Sequence, residues 1–312
     1  MKRMKRIKTL ILALISLFIC QTKLISSEEI KLYPSGNVVC MNLNLKYPYV
    51  RMNLNDDESI LRYQDMIASI EYKDKEYHSI DEIYEIMKLD NKNIKLHIIR
   101  NESPKVINIT SNKLREYQIS DTILGIGTIT AIDENGRYIA VAHKIRLGSN
   151  IARIKDGLIY EAGYIQEIKS NDNGVGNLVS SQAGEMIGTI DTMTDYGIKG
   201  TYKNNNSKDL LEINKPQIGK AYIYCETPIT NEIKMHEIEI TNIGDEKSEF
   251  IIKDTNLIKN RGGGVIGMSG SPIIQDNKIV GGMCEIIIED AKKGKFVNIG
   301  VMIKNNELTY TS

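Results

Sequence analysis

A glycine-rich segment over residues 262–272, with the sequence Gly-Gly-Gly-Val-Ile-Gly-Met-Ser-Gly-Ser-Pro, holds a serine that could act as a nucleophile. Glycines let a backbone turn sharply and expose N–H groups that can stabilise an oxyanion. We therefore interpret Ser269 as the nucleophile and the N–H groups of Gly267 and Ser269 as the oxyanion donors. Ser271 precedes a proline, where the chain becomes extended, and is interpreted as structural. A glycine-rich turn between two strands would have the same composition.

A serine hydroxyl needs a base that takes its proton at neutral pH. The chain has four histidines. His143 directly follows the apolar stretch 140–142, and a strand end of this kind is where two-barrel serine peptidases place their base. His78 lies in a polar turn, His97 in a predicted strand and His236 in a charged segment. His143 is therefore the candidate base, and activity should fall below about pH 6.5 as it becomes protonated. For the other three histidines a surface or core residue is the favoured interpretation, and for His143 it stands beside the role of base as an equal alternative.

A carboxylate usually holds such a base in its productive tautomer. Asp254 ends a predicted strand in the sequence Ile-Lys-Asp-Thr, upstream of Ser269, and from there it could face His143. Aspartate is also a good cap for a turn, and one is predicted directly after it. Three further aspartates compete for the orienting role: Asp191, Asp195 and Asp245.

Short apolar stretches, separated by turns rich in Gly, Asn and Asp, recur from residue 111 to the end of the chain. The sequence Asp-Glu-Asn-Gly at 133–136 predicts a hairpin turn between two of them. A short helical turn is predicted at 256–260 only, and a strand is predicted over 297–303. Many short strands at this spacing predict an all-β sandwich or barrel.

The preceding segment, residues 28–108, predicts a small α+β module. Strands are expected at 65–70 and 94–100. Between them, the helix predicted over 79–89 begins at a serine N-cap, and Glu82 occupies the capping-box position.

Residues 1–27 form a leader with a positively charged start and an apolar run from 9 to 20. This pattern predicts an export signal or an uncleaved membrane anchor that places the remainder outside the cytoplasm. The 40 basic and 40 acidic residues leave no basic excess that would indicate nucleic-acid binding.

The cysteines show no metal-ligand spacing, so no metal and no cofactor are predicted. Buried thiols are favoured over a single disulfide, and no cysteine lies in a glycine-rich turn that would suit a nucleophile. Cys20 lies in the leader, and the other three are Cys40, Cys225 and Cys284.

Taken together, these motifs resemble the SpoIVB family of sporulation serine peptidases (stage IV sporulation protein B). The resemblance covers nearly the whole chain and is strongest from about residue 120 onward. The matching segments are those around the histidine (125–130, 133–136 and 142–143), the middle strands (187–190 and 196–200), and the aspartate and serine segment (252–254 and 262–272).

The resemblance implies a mainly β fold with three parts: a membrane anchor over 1–27, a degenerate PDZ-like domain over 28–108, and a chymotrypsin-like double-β-barrel peptidase domain over 109–312. For the site, it implies that His143 is the base, that Asp254 orients it, and that Ser269 is the nucleophile.

Members of the family cleave themselves and cut a regulatory membrane protein in the signalling pathway that activates pro-sigma-K processing. The resemblance therefore implies a protein substrate, self-cleavage, attachment to the membrane and a location between the mother cell and the forespore.

The sequence departs from the family pattern at several positions. Lys144 replaces the glycine after the histidine, Cys284 and Glu285 occupy the stretch where the family has a histidine, and Gln64 replaces a PDZ glycine. Met268 replaces the aspartate of trypsin-like enzymes, so activation by pairing with a new N-terminus is excluded. A catalytically inactive binding or signalling module that retains the fold is the alternative function.

Overall fold

The computed structural model describes residues 30–54, 60–163, 165–171, 174–180, 183–203, 209–227 and 232–308. The predicted leader, with Cys20, lies outside these ranges. None of the helices within them is long and apolar enough to span a bilayer.

The described ranges are mainly β, as the sequence predicts. The strands are β1 (Lys31–Pro34), β2 (Val38–Asn53), β3 (Met66–Tyr72), β4 (Lys75–Tyr77), β5 (Asn93–Arg100), β6 (Ser103–Thr110), β7 (Tyr117–Ile132), β8 (Arg137–Ala140), β9 (Arg146–Leu147), β10 (Asn150–Ile151), β11 (Ile154–Ala162), β12 (Ile165–Ile168), β13 (Asn177–Ser180), β14 (Ala183–Ile190), β15 (Thr192–Thr194), β16 (Gly197–Thr201), β17 (Leu211–Glu212), β18 (Gly219–Thr227), β19 (Glu232–Asn242), β20 (Lys247–Ile252), β21 (Pro272–Gln275), β22 (Lys278–Ile286) and β23 (Lys293–Asn298). The helices are α1 (Ile80–Lys88), α2 (Ser111–Leu114), α3 (Thr255–Arg261) and α4 (Ile299–Asn306).

The small α+β module contains β3 to β6 with α1 and α2. Ser79 caps α1, and its side chain and that of Glu82 form the predicted capping box. Ile83, Ile86 and Met87 bury one face of the helix in the core of the module, as an amphipathic helix requires. Tyr84 is largely exposed, but its hydroxyl donates to the carbonyl of Ile119 on β7 at 2.9 Å.

Six strands form a first barrel. β2 pairs with β7 and β11, β7 with β8, β8 with β16, and β11 with β14. A bridge between Gly188 and Tyr202 joins β14 to the end of β16 and closes the ring. The predicted hairpin turn at 133–136 connects β7 to β8. The barrel interior is filled by side chains that alternate along the strands, among them Val39, Met41, Leu43, Ile129, Tyr138, Ile159, Ile190 and Ile198.

The two longest strands, β2 and β7, belong to both the small module and the first barrel. Val50 on β2 and Ile119 on β7 are buried in the core of the module, whereas Met41 and Ile129 on the same strands are buried in the barrel. Residues that the sequence places in the PDZ-like domain therefore supply a barrel strand.

The second barrel is closed, in the order β18-β19-β20-β23-β22-β21. Phe250 and Phe296 meet in its core with their ring centroids 6.4 Å apart. These two rings are among the bulkiest groups in an interior that is otherwise filled by smaller apolar residues, mainly Ile, Val and Met. Two barrels in series confirm the predicted double-β-barrel fold.

The strand predicted over 297–303 is wrong beyond residue 298, because the chain there forms helix α4. This helix buries Ile299, Met302, Ile303 and Asn306, at the spacing of one helical face. A short apolar run of this length fits a strand or a buried helix equally well, so its periodicity did not decide the assignment.

Candidate active site

The glycine-rich segment between α3 and β21 forms a tight elbow around Ser269. The amide of Met268 donates to the carbonyl of Val265 at 3.2 Å, and the amide of Ser271 donates to the carbonyl of Met268 at 2.9 Å. These two successive turns present Ser269 at the bend, where it is half-buried. The hydroxyl of Ser271 is buried and has no hydrogen-bond partner among the described residues.

The elbow lies directly against the first barrel. The amide of Thr128 donates to the carbonyl of Ser269 at 2.9 Å, and the Thr128 hydroxyl donates to the carbonyl of Gly267 at 2.8 Å. A Cβ atom added to Gly270 would lie 1.9 Å from the carbonyl oxygen of Thr128 and 2.5 Å from the amide nitrogen of Val141. Only glycine permits this approach, which fixes the segment around Ser269 against the strand pair β7–β8.

The amide groups of Gly267 and Ser269 are available as donors. Neither N–H has an acceptor within the part of the chain that the structure describes. Unpaired N–H groups are uncommon in folded proteins, and two on one sharp turn beside a serine fit a site where negative charge develops.

His143 lies two residues beyond Val141, the residue that Gly270 approaches. The chain turns sharply here, since Val141 and Ala142 both have left-handed backbones, with φ of 72° and 58°. The Nδ1 atom of His143 lies 2.8 Å from the carbonyl oxygen of Lys144. A carbonyl can only accept, so Nδ1 carries the proton and Nε2 of the neutral ring is left as the basic nitrogen.

Burial lowers the pKa of His143 below the usual value of a histidine, although the hydrogen bond to Lys144 and the nearby Glu285 oppose this shift. Lys247, which forms an ion pair with Glu285, lowers the pKa further. The ring is therefore neutral at pH 7, which is the form that a general base requires.

Asp254 contacts a different histidine. Its Oδ2 atom lies 2.9 Å from Nδ1 of His236, and its Oδ1 atom accepts from the amides of Asn256 and Leu257 at 2.8 and 2.9 Å. It is thus the N-cap of α3. Burial raises the pKa of Asp254, but the hydrogen bonds from Leu257 and His236 outweigh it and lower that pKa overall. Asp254 as the acid that orients His143 stays a prediction.

The competing aspartates have other contacts. Asp195 forms an ion pair with the Lys144 side chain at 2.9 Å, and Asp191 accepts from the hydroxyl of Thr189 at 3.0 Å. Asp245 offers its backbone carbonyl to Asn298 at 3.2 Å. Of the three, Asp195 is the one linked to the residue whose carbonyl holds His143.

The remaining histidines lie elsewhere in the fold. His78 and His97 belong to the small module, where they contact Ala68 and Glu71. His236 faces the inside of the second barrel, and its Nε2 atom is buried without a partner among the described residues. Burial lowers the pKa of His236 despite its contact with Asp254.

Three cysteines fall in the described ranges, and all have free thiols. Cys40 is half-buried. Burial raises the pKa of Cys225 to about 11 and that of Cys284 to about 12, so neither is a thiolate at neutral pH. Neither thiol therefore suits the role of a nucleophile, which agrees with the absence of a glycine-rich turn around either cysteine. No cluster of potential metal ligands occurs within the described residues.

Sequence reasoning missed two contributors to the site, Thr128 and the carbonyl of Lys144. Thr128 lies inside the segment that resembles the family's histidine region, but nothing in its spacing indicates a bond to Gly267. Lys144 stands out only as a departure from the family pattern, and its role comes from an oxygen that every residue type carries.

Comparison with known proteins identifies the family. One similar solved structure is the inactive form of the Rv3671c protease, with a TM-score of 0.36 and 13% sequence identity; the match covers 59% of this chain and 83% of that chain. Another is an inactive serine-to-alanine mutant of Rv3671c from M. tuberculosis H37Rv, with a TM-score of 0.33 and 11% identity; the match covers 60% of this chain and 84% of that chain. No curated protein matches the sequence. A model of the SpoIVB peptidase S55 family matches residues 115–303. This match spans more than half of the chain, which therefore belongs to the SpoIVB peptidase S55 family of serine endopeptidases.

Proposed function

We propose that this serine endopeptidase cuts polypeptides with Ser269 as nucleophile and His143 as general base. The Nε2 atom of His143 takes the proton of the Ser269 hydroxyl as its oxygen attacks the peptide carbonyl carbon. The amides of Gly267 and Ser269 donate to the resulting oxyanion. His143 then gives its proton to the leaving amine as the C–N bond breaks. Water, deprotonated by the same ring, hydrolyses the acyl-enzyme and restores the serine.

The observation that carries this proposal is that the elbow around Ser269 packs directly against the first barrel. Gly270 approaches the backbone of Thr128 and Val141 more closely than any other residue could, and His143 follows Val141 by two residues. The hydroxyl and the imidazole come from different barrels, and this close approach of the two barrels supports the proposal that they act in one site.

A fluorophosphonate probe and a peptide-cleavage assay test the proposal. Ser269→Ala should abolish labelling and cleavage, whereas Ser271→Ala, a matched change two residues away, should preserve both. His143→Gln should remove activity, and His236→Gln should retain it if the protein stays folded. Wild-type protein that is folded but unreactive would instead support the alternative of an inactive binding or signalling module.

We propose further that the enzyme acts outside the cytoplasmic membrane, held there by residues 1–27. Its substrates would be itself and a membrane-bound regulator of the intramembrane protease that processes pro-sigma-K. Family membership and the export-type leader support this role. The test is incubation of purified full-length protein: wild type should shorten with time and Ser269→Ala should not. If both proteins keep their full length, self-cleavage is contradicted. Cleavage of other polypeptides would still be tested by the peptide-cleavage assay.

A further inference from the structure

A hairpin that lies between β11 and β14 in the sequence contacts the glycine-rich elbow. We call this hairpin, residues 165–171 and 174–180 with strands β12 and β13, the strap. Ser170 anchors it at one end of the glycine-rich segment, since its amide donates to the carbonyl of Arg261 at 2.8 Å and its hydroxyl to the carbonyl of Gly264 at 2.7 Å. The same hydroxyl accepts from the amide of Gly176 at 2.7 Å.

The strap also contacts the residues that lead into the oxyanion site. Leu178 donates its amide to the carbonyl of Ile266 at 2.8 Å, and Ile266 donates to the carbonyl of Gly176 at 2.8 Å. The side chain of Leu178 lies against Gly267, where an added Cβ would come within 2.9 Å of it. The strap is therefore the immediate support of the amide at Gly267.

An ion pair locks the strap to α3. Nε of Arg261 lies 3.0 Å from Oε2 of Glu167, and the two side chains are only 4% and 16% exposed. Arg261 also donates to the carbonyl of Glu226 at 3.1 Å and to the sulfur of Met268 at 3.5 Å. Met268 precedes the nucleophile, so one guanidinium connects the strap, the second barrel and the elbow.

This ion pair is costly to bury. The Oε1 atom of Glu167 is buried without a hydrogen-bond partner among the described residues. Burial raises the pKa of Glu167, and Arg261 opposes that shift. Buried ion pairs are weak sources of stability, because the desolvation of both charges offsets their attraction. A pair kept under these conditions beside a reactive loop is better explained by positioning than by stability.

We propose that Glu167 and Arg261 are positioning residues that hold the oxyanion-binding amides of the elbow in place. In trypsin-like enzymes an aspartate at the position of Met268 accepts a new N-terminus, a route that methionine excludes. Here the charge pair whose guanidinium contacts Met268 holds the elbow instead, through the strap. This inference rests on the proposed function, since it assumes that Gly267 and Ser269 bind an oxyanion.

The test compares Glu167→Gln with Glu239→Gln in steady-state peptide hydrolysis and in the rate of fluorophosphonate labelling. Glu239, on β19 of the second barrel, forms an exposed pair with Lys253 at 2.7 Å and provides the matched control. Glu167→Gln should lower kcat about 10- to 100-fold and change KM by no more than about twofold. The reason is that loss of the ion pair displaces the oxyanion donors, which act on the transition state and not on the bound substrate. Glu239→Gln should leave both constants unchanged. Thermal unfolding above the assay temperature excludes global loss of structure.

Ser170→Ala serves as the second variant, since it keeps the ion pair and removes the hydroxyl between Gly264 and Gly176. Ser170→Ala should lower kcat by a smaller factor. If Glu167→Gln is unfolded at the assay temperature, the kcat of Ser170→Ala decides the test instead. An active wild type with kcat unchanged in the folded variants would overturn the inference alone. A wild type without activity or labelling would overturn the proposed function, and the inference with it.

Discussion

Replacing Gly270 by alanine should disable the enzyme through a displacement of about 1 Å. The added Cβ would lie 1.9 Å from the carbonyl oxygen of Thr128, whereas real Cβ atoms essentially never come closer than 3.0 Å to another heavy atom. The obstacle is backbone on both sides, so no side-chain rotation relieves it. The elbow and the strand pair β7–β8 must therefore move apart by roughly the difference.

A misplacement of this size in an active site costs on the order of 100-fold in rate. The left-handed backbone at Gly270, with φ of +99°, adds about 1 to 3 kcal/mol of strain for alanine. We expect kcat/KM to fall by about 100-fold or more, together with a lower midpoint of thermal unfolding. Peptide hydrolysis and the rate of fluorophosphonate labelling measure the first effect, and circular dichroism measures the second.

Gly219→Ala is the matched control, because Gly219 has φ of +121° but no atom within 4 Å of an added Cβ. It carries the backbone strain without the collision, and should lose stability while keeping its activity. If folded Gly270→Ala hydrolyses peptides within about twofold of wild type, the seat against Thr128 and Val141 does not position the nucleophile, and the reasoning is refuted.

Four further predictions concern the titration of two histidines, the cap of α3 and the buried thiols. Because burial lowers the pKa of His143, kcat/KM should fall only below about pH 6.5, and an inflection above that value would contradict its role as base. The pKa of His236 is lowered too, so below about pH 6.5 the unfolded chain binds more protons than the folded protein. Stability to urea should therefore be constant above about pH 6.5 and decrease below it, and a flat profile between pH 5 and 8 would contradict this. Asp254→Ala should cost about 1 kcal/mol or more in urea unfolding through loss of the helix cap, whereas lost activity in a fully stable Asp254→Asn variant would support orientation of His143. Cys225 and Cys284 should resist iodoacetamide at pH 8 until the protein is unfolded, as mass spectrometry of the labelled peptides would show; rapid labelling of either would contradict their burial.

Local signals in the sequence predicted much of the fold. The capping box at Ser79 and Glu82 determined where α1 begins, because both partners lie within one helical turn. The hairpin at 133–136 followed from its turn residues in the same way. Alternating apolar stretches gave the β class, while α4 was missed because its buried face spans only eight residues.

The candidate site was harder to predict, because its contacts join distant parts of the chain. The glycines around Ser269 marked the elbow, but only the pairing of β7 with β8 brings Thr128 and Val141 beside Gly270. The partner of Asp254 is His236, which lies on the neighbouring strand β19. The spacing of the two residues in the sequence does not predict this contact. The acceptor for His143 is a main-chain oxygen, which no residue type reveals.

The double membership of β2 and β7 has a consequence for anyone who wishes to excise the peptidase. A fragment beginning at residue 109 would keep β7 but lose β2, and with it the strand that lies between β7 and β11. Both neighbours would then expose open hydrogen-bonding edges, which favour aggregation. The small module thus shares its two longest strands with the first barrel, and a truncation that leaves this barrel intact has to retain β2.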